Sequence, residues 1–162
     1  MLKFKIRRLR DVQLPTQAYT SAAGWDFFIP KNWELLPGVK PKDNFIMPAW
    51  QSKVIHPGES LFVPSGLQIQ MHSGYALSFE NRSGKARQGL LVGATIVDTD
   101  YQGEIHLNVW NVSKHDICIS CGDKILQGIF FLPPQIQLHD TTEELFTERT
   151  ARGQNGFGST GK

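Results

Sequence analysis

Along much of this chain apolar and polar residues alternate with a period of two, the spacing at which successive side chains leave opposite faces of a strand. Leu61 and Val63, then Leu67, Ile69 and Met71, alternate on either side of a Pro64-Ser65-Gly66 turn. Tyr75, Leu77 and Phe79 alternate with Ala76 and Ser78, and Ile105, Leu107 and Val109 with Glu104, His106 and Asn108. Ile117 and Ile119 lead into Gly122-Asp123, after which Ile125, Ile129 and Phe131 run up to Pro133-Pro134. Leu2, Phe4 and Ile6 set against Lys3, Lys5 and Arg7 predict a first strand. Turn signals recur at short intervals (Pro57-Gly58, Ser73-Gly74, Gly103, Cys121-Gly122), so the pattern predicts an all-β sandwich or barrel. Helix is expected only as a turn or so over residues 83–88. Thr141-Thr142-Glu143-Glu144 resembles a capping box, but only Leu145 and Phe146 follow it, and an extended or irregular segment is expected there.

Two regions depart from the alternation. Residues 31–56 carry three prolines, mixed charges, Trp33 and Trp50, and read as an irregular insertion, either a self-packed lobe or a functional loop. Residues 152–162 contain four glycines and read as a flexible arm following a β domain over 1–151.

Composition narrows the function classes. A chain of 162 residues is long enough for one domain with a real core. Its net charge of +2, from 17 basic and 15 acidic residues, lacks the basic excess of a nucleic-acid binder. No apolar run is long enough to span a membrane, and the basic start has no apolar signal core, so a cytoplasmic location is expected. Cys118 and Cys121 form a lone CxxC without a second ligand pair; buried or half-buried thiols are expected over a zinc or redox site.

Candidate chemistry sits in three places. The arm combines Arg152, Phe157, Ser159 and Thr160 with glycines, which let backbone N–H groups approach phosphate oxygens closely. Arg152 can fork onto phosphate, and Phe157 offers a face to a base. Arg82 and Ser83 fall at a turn that can open a short helix, a natural anion site. Asp98 ends an apolar strand and is the best candidate for a general base.

Taken together and in order, these segments resemble the dUTPase family. Ala23-Gly24-Trp25-Asp26 resembles its first motif, AGxDL, with Phe27 for leucine, and residues 81–86 resemble PRSGLA. Residues 95–104 resemble GxIDxDYxGE, residues 122–129 resemble GDRIAQLI, and residues 152–161 match RGxxGFGSTG nearly residue for residue. The resemblance covers almost everything except 31–56 and implies a distorted jelly roll of the β-clip type, a homotrimer with shared active sites, and Mg²⁺-dependent cleavage of dUTP to dUMP and pyrophosphate.

The resemblance also implies roles. Asp98 would contact the deoxyribose 3′-hydroxyl and activate the water that attacks the α-phosphorus. Tyr101 would pack under the sugar and exclude a 2′-hydroxyl. The hairpin from about Gly93 to Tyr101, Thr95 and Val97 included, would read uracil largely through backbone groups, with Phe157 stacked on the base. Arg82, Ser83, Gly84 and Gln127 would hold phosphates, Arg152, Ser159 and Thr160 the γ-phosphate end, and Asp26 would act on Mg²⁺ through a coordinated water. The sequence departs from the pattern at Asn81 (proline), Lys85 (leucine), Thr95 (glycine), Leu126 (alanine) and Gly128 (leucine). Asn81 is expected to loosen a turn, Lys85 to face solvent, and Leu126 and Gly128 to repack locally.

Two other readings stand beside it. Residues 86–90 also resemble the dCTP deaminases, relatives of the same fold. That branch, however, carries a glutamate three positions before the asparagine matching Asn111, where this chain has the neutral Asn108, and a tryptophan at Tyr101. The second is a nucleotide-gated regulatory protein that binds a protein partner through residues 31–56.

Overall fold

The computed structural model describes residues 2–31, 52–142, 145, 148 and 150. The insertion proper, with any partner bound there, and the arm bearing Arg152, Phe157, Ser159 and Thr160 lie outside the described residues.

Among the described residues, eleven short strands and one helical turn follow the alternation. One sheet has the order β2 (Trp25–Phe28), β11 (Lys124–Phe131), β6 (Ala76–Asn81), β8 (Ile96–Val97). A second runs β4 (Ser60–Pro64), β9 (His106–Asn111), β7 (Leu90–Val92). Two ribbons complete the frame, β1 (Lys5–Arg8) with β5 (Leu67–Gln70) and β3 (Ser52–Ile55) with β10 (Ile117–Ser120). All named pairs are antiparallel. The helical turn α1 (Ser83–Arg87) directly follows β6.

The inward sets are those the period of two selects. Leu61, Val63, Leu107 and Val109 from the second sheet and Phe27, Leu77, Phe79 and Ile125 from the first join one buried cluster. Each such side chain contributes about 1.5–3 kcal/mol on burial. The pairing of β11 with β2 shifts register between Lys124 and Leu126, so Ile125 and Leu126 are both buried and the alternation breaks there. The expected repacking has a definite form at Gly128. A Cβ there would lie 2.6 Å from Phe27 Cε2 and 2.7 Å from Leu77 Cδ1, so the larger ring at 27 fills the space left by the missing side chain at 128.

Four expectations need correction. The irregular stretch placed over 31–56 ends before Ser52, because Ser52–Ile55 pair in register with β10. The first strand is shorter than its pattern and exposed along its length; only Phe4, just before it, packs inward against Tyr75 and Phe130. Cys118 is exposed rather than buried, while Cys121 is half-buried as expected, and neither forms a disulfide. Asn81 does not loosen a turn, since its Oδ1 accepts the Val92 N–H at 2.7 Å and ties β6 to β7. Among the described residues no helix is long and apolar enough to cross a membrane.

Candidate active site

β6 carries functional groups at both ends. At its Asn81 end, Gln127 of β11 stands opposite Asp26 of β2 on one side and Glu80 on the other. The first and fourth motifs therefore meet by strand pairing. Gly24 leaves room for the Gln127 side chain, whose Oε1 would lie 2.7 Å from a Cβ at that position. The Gln127 amide donates to Asn81 O at 2.9 Å.

Asp26 is the centre of this cluster. Its side chain is only 13% exposed, and its two oxygens take different cations: Arg82 Nε at 2.8 Å and Lys124 Nζ at 3.0 Å. Arg82 also donates from Nη1 to Lys124 O at 2.9 Å, which locks the guanidinium across the strand end. A second pair lies alongside, Lys85 Nζ with Asp123 Oδ2 at 3.3 Å, so Lys85 is half-buried in an ion pair rather than facing solvent. Ser83 and Gly84 stand exposed at the start of α1, whose internal bonds begin with the Lys85 and Ala86 N–H groups donating to Arg82 O. Two amides ahead of them are thus left outside the helical pattern.

At the opposite end of β6, Leu77 pairs with Val97 and Ser78 with Ile96. This places Asp98 just beyond β8, exposed, with no hydrogen bond or ion pair to its carboxylate among the described residues. Thr99 Oγ1 donates to Tyr75 O and fixes the turn that follows. The Tyr101 ring lies over Gly103, where a Cβ would be 2.4 Å from its hydroxyl, and that hydroxyl donates to Glu104 O at 2.9 Å. Glu104 is held by a buried fork from Arg10, Nε–Oε1 2.6 Å and Nη2–Oε2 3.0 Å, and accepts the Gly66 N–H. Thr95 and Val97 are half-buried on the same hairpin.

One chain therefore gathers Asp26, Arg82, Ser83, Gly84 and Gln127 at one end of β6, and Val97, Asp98 and Tyr101 at the other, with Thr95 opposite Phe79 between them. Residues 77 and 81 are four apart, about 13 Å along a strand, which sets the two groups apart on one chain. Lys124 went unnoticed in the sequence, because its role depends on the register that sets β11 beside β2. The burial of Asn108 and the Arg10–Glu104 fork went unnoticed because polar residues in an alternating strand read as solvent-facing.

Comparisons with known proteins point to one family. The family model described as dUTPase matches residues 45–161. A deoxyuridine 5′-triphosphate nucleotidohydrolase of Wolbachia pipientis wMel is 32% identical, covering 99% of this chain and 97% of that protein. One from Caulobacter vibrioides is 33% identical over 93% of this chain and 87% of its own. Among solved structures, a mutant dUTPase of Staphylococcus bacteriophage 80alpha with dUpNHpp superposes with a TM-score of 0.74 at 18% identity, covering 99% of both chains. A mutant dUTPase from phage phi11, in which a structural Mg(II) ion is coordinated, gives a TM-score of 0.69 at 17% identity over 89% of this chain and 99% of its own. The all-β, jelly-roll-like class expected from the sequence is the fold of these neighbours.

Proposed function

The chain belongs to the dUTPase family, and from that premise we propose which of its residues carry out the hydrolysis of dUTP to dUMP and pyrophosphate. Asp98 is the general base. Its carboxylate is exposed and uncommitted, so it can accept the 3′-hydroxyl and orient the attacking water. Tyr101, braced by its bond to Glu104 O, forms a fixed wall under the sugar. Residues 93–97 present the base-reading edge. Arg82, Ser83, Gly84 and Gln127 hold the phosphates, and Arg152, Ser159 and Thr160 take the γ-phosphate end while Phe157 covers the base.

Mg²⁺ dependence follows from the family, and the residues present fit a hydrated ion. Among the described residues no three acidic, histidine or cysteine side chains cluster into a cage. Asp26 is a single carboxylate with both oxygens already facing cations. With its oxygens so engaged, Asp26 would not ligate the ion directly but would reach it through a coordinated water, on a metal that arrives with the triphosphate and keeps most of its hydration shell. When bound, the ion neutralises charge that builds on the phosphates.

The single observation behind the assembly is the separation of the two half-sites along β6. We infer a homotrimer in which the Asp98 end of one copy meets the Asp26 end of the next. Mixing equal amounts of Asp98→Asn and Arg82→Gln subunits, each inactive alone, tests it. Random assortment across a shared site restores about a quarter of the native activity. A mixture as dead as its components contradicts the shared site.

The deaminase reading is not favoured. Asn108 is buried, and both ends of its amide are engaged, by Ala94 N–H and Leu61 O. A neutral, fully bonded amide cannot shuttle a proton.

A further inference from the structure

We propose that Asn108 is a positioning residue for base selectivity, acting through the backbone of residues 93–95. The inference rests on the reading of that segment as the base-reading edge. Residues 93–95 are the crossover between the two main sheets, since β7 belongs to one and β8 to the other. Each end of the crossover is held by a ladder. The Gly93 N–H donates to Asn108 O at 3.0 Å, extending the β4-β9-β7 sheet, and Thr95 O accepts the Phe79 N–H at 2.7 Å, opening the β2-β11-β6-β8 sheet. The middle residue belongs to neither ladder. Its N–H is held instead by the Asn108 side chain, Ala94 N to Oδ1 at 2.9 Å.

The other end of the same amide donates to Leu61 O at 3.2 Å, so the group is fixed from both sides and cannot rotate without losing a bond. Asn108 shares its strand face with His106 and Trp110, both exposed, yet is itself only 4% exposed, because the crossover lies over it. The approach is close: a Cβ on Gly93 would lie 1.7 Å from Asn108 Oδ1. Glycine at 93 and asparagine at 108 are therefore a matched pair. Aspartate at 108 would lack the donor for Leu61 O, and an apolar residue would leave the Ala94 N–H without its partner on the inner side of the exposed crossover. A base read by backbone groups is discriminated only while that backbone stays in place.

The test uses the full chain with Asn108→Ala, the milder Asn108→Ser, Gly93→Ala, and the Gly93→Ala/Asn108→Ala double variant. Relative kcat/KM for dUTP and dTTP is measured alongside thermal midpoints. The expected result is a fall of about tenfold in the dUTP-over-dTTP ratio for Asn108→Ala and for Gly93→Ala. The double variant should be no worse than either, since the clash and its target vanish together. A folded Asn108→Ala or Asn108→Ser enzyme whose ratio stays within about threefold of native overturns the proposal. So does failure of both variants to fold, which would make Asn108 a general support of the core. If the native enzyme itself does not prefer dUTP to dTTP, the base-site reading fails, whatever Asn108 does.

Discussion

At the Asn81 end of β6 the functional side chains hold one another. Asp26 is clasped by Arg82 and Lys124, Arg82 reaches on to Lys124 O, and Gln127 is tied to Asn81 O. At the Ala76 end the supports are bonded while the working group is not. Glu104 is forked by Arg10 and braces Tyr101, whereas Asp98 projects with its carboxylate uncommitted. The contrast follows the chemistry proposed for each end. Groups that bind phosphate gain from being fixed and charge-compensated before the ligand arrives. A base that must accept a proton needs an open carboxylate, made rigid by its hairpin rather than by partners.

Variants at the two ends should separate activity from stability in opposite ways. The largest effect is expected from removing residues 152–162, which abolishes dUTP turnover while the assembly measured by light scattering persists. A truncated trimer with full activity would make the arm dispensable. Asp98→Asn should lower turnover about 10²- to 10⁴-fold with an unchanged melting midpoint, because nothing in the fold leans on that carboxylate. A loss below about threefold would remove Asp98 from the mechanism. Asp26→Ala should do both kinds of damage. It strands Arg82 and Lys124 and lowers stability by about 1–3 kcal/mol as well as weakening activity, readable by denaturant unfolding beside kinetics. An Asp26→Ala protein as stable as native would show the ion pairs contribute nothing.

The smallest effect lies away from the site. Asp116 holds His56 above its ordinary value of 6.5, first through a side-chain hydrogen bond and then through its charge, with Glu59 adding to the rise. Since the folded value is the higher, the stabilisation is fully present below the unfolded value and is lost as pH rises through the folded one. The pair tethers the end of β3 to the turn before β10, and its full exposure to solvent keeps the contribution slight. Asp116→Asn should return the His56 NMR titration towards 6.5. A native His56 titrating at or below that value contradicts the assignment.

Most of the framework was legible in the sequence because alternation in β4, β5, β6 and β9 maps directly onto inward and outward faces. Ordered motifs likewise located Asp26, Arg82, Gln127 and Asp98. What remained hidden depends on contacts between distant strands. Glu104 and Asn108 occupy polar positions of an alternating run, yet Arg10 covers one and the 93–95 crossover the other. Lys124 joins Asp26 only through the β2–β11 register, and Asn81, a departure from the motif's proline, turns out to bond across to β7. Periodicity reports which face a side chain takes; it is silent on what another part of the chain lays over that face.

The most direct test of the central claim is release of pyrophosphate by the purified full chain with Mg²⁺, offered dUTP, dCTP, dTTP and UTP in parallel, with ammonia assayed in the same samples. Pyrophosphate and dUMP from dUTP far ahead of the other three, without ammonia, is the predicted result. Intact dUTP, or ammonia from dCTP, would contradict it.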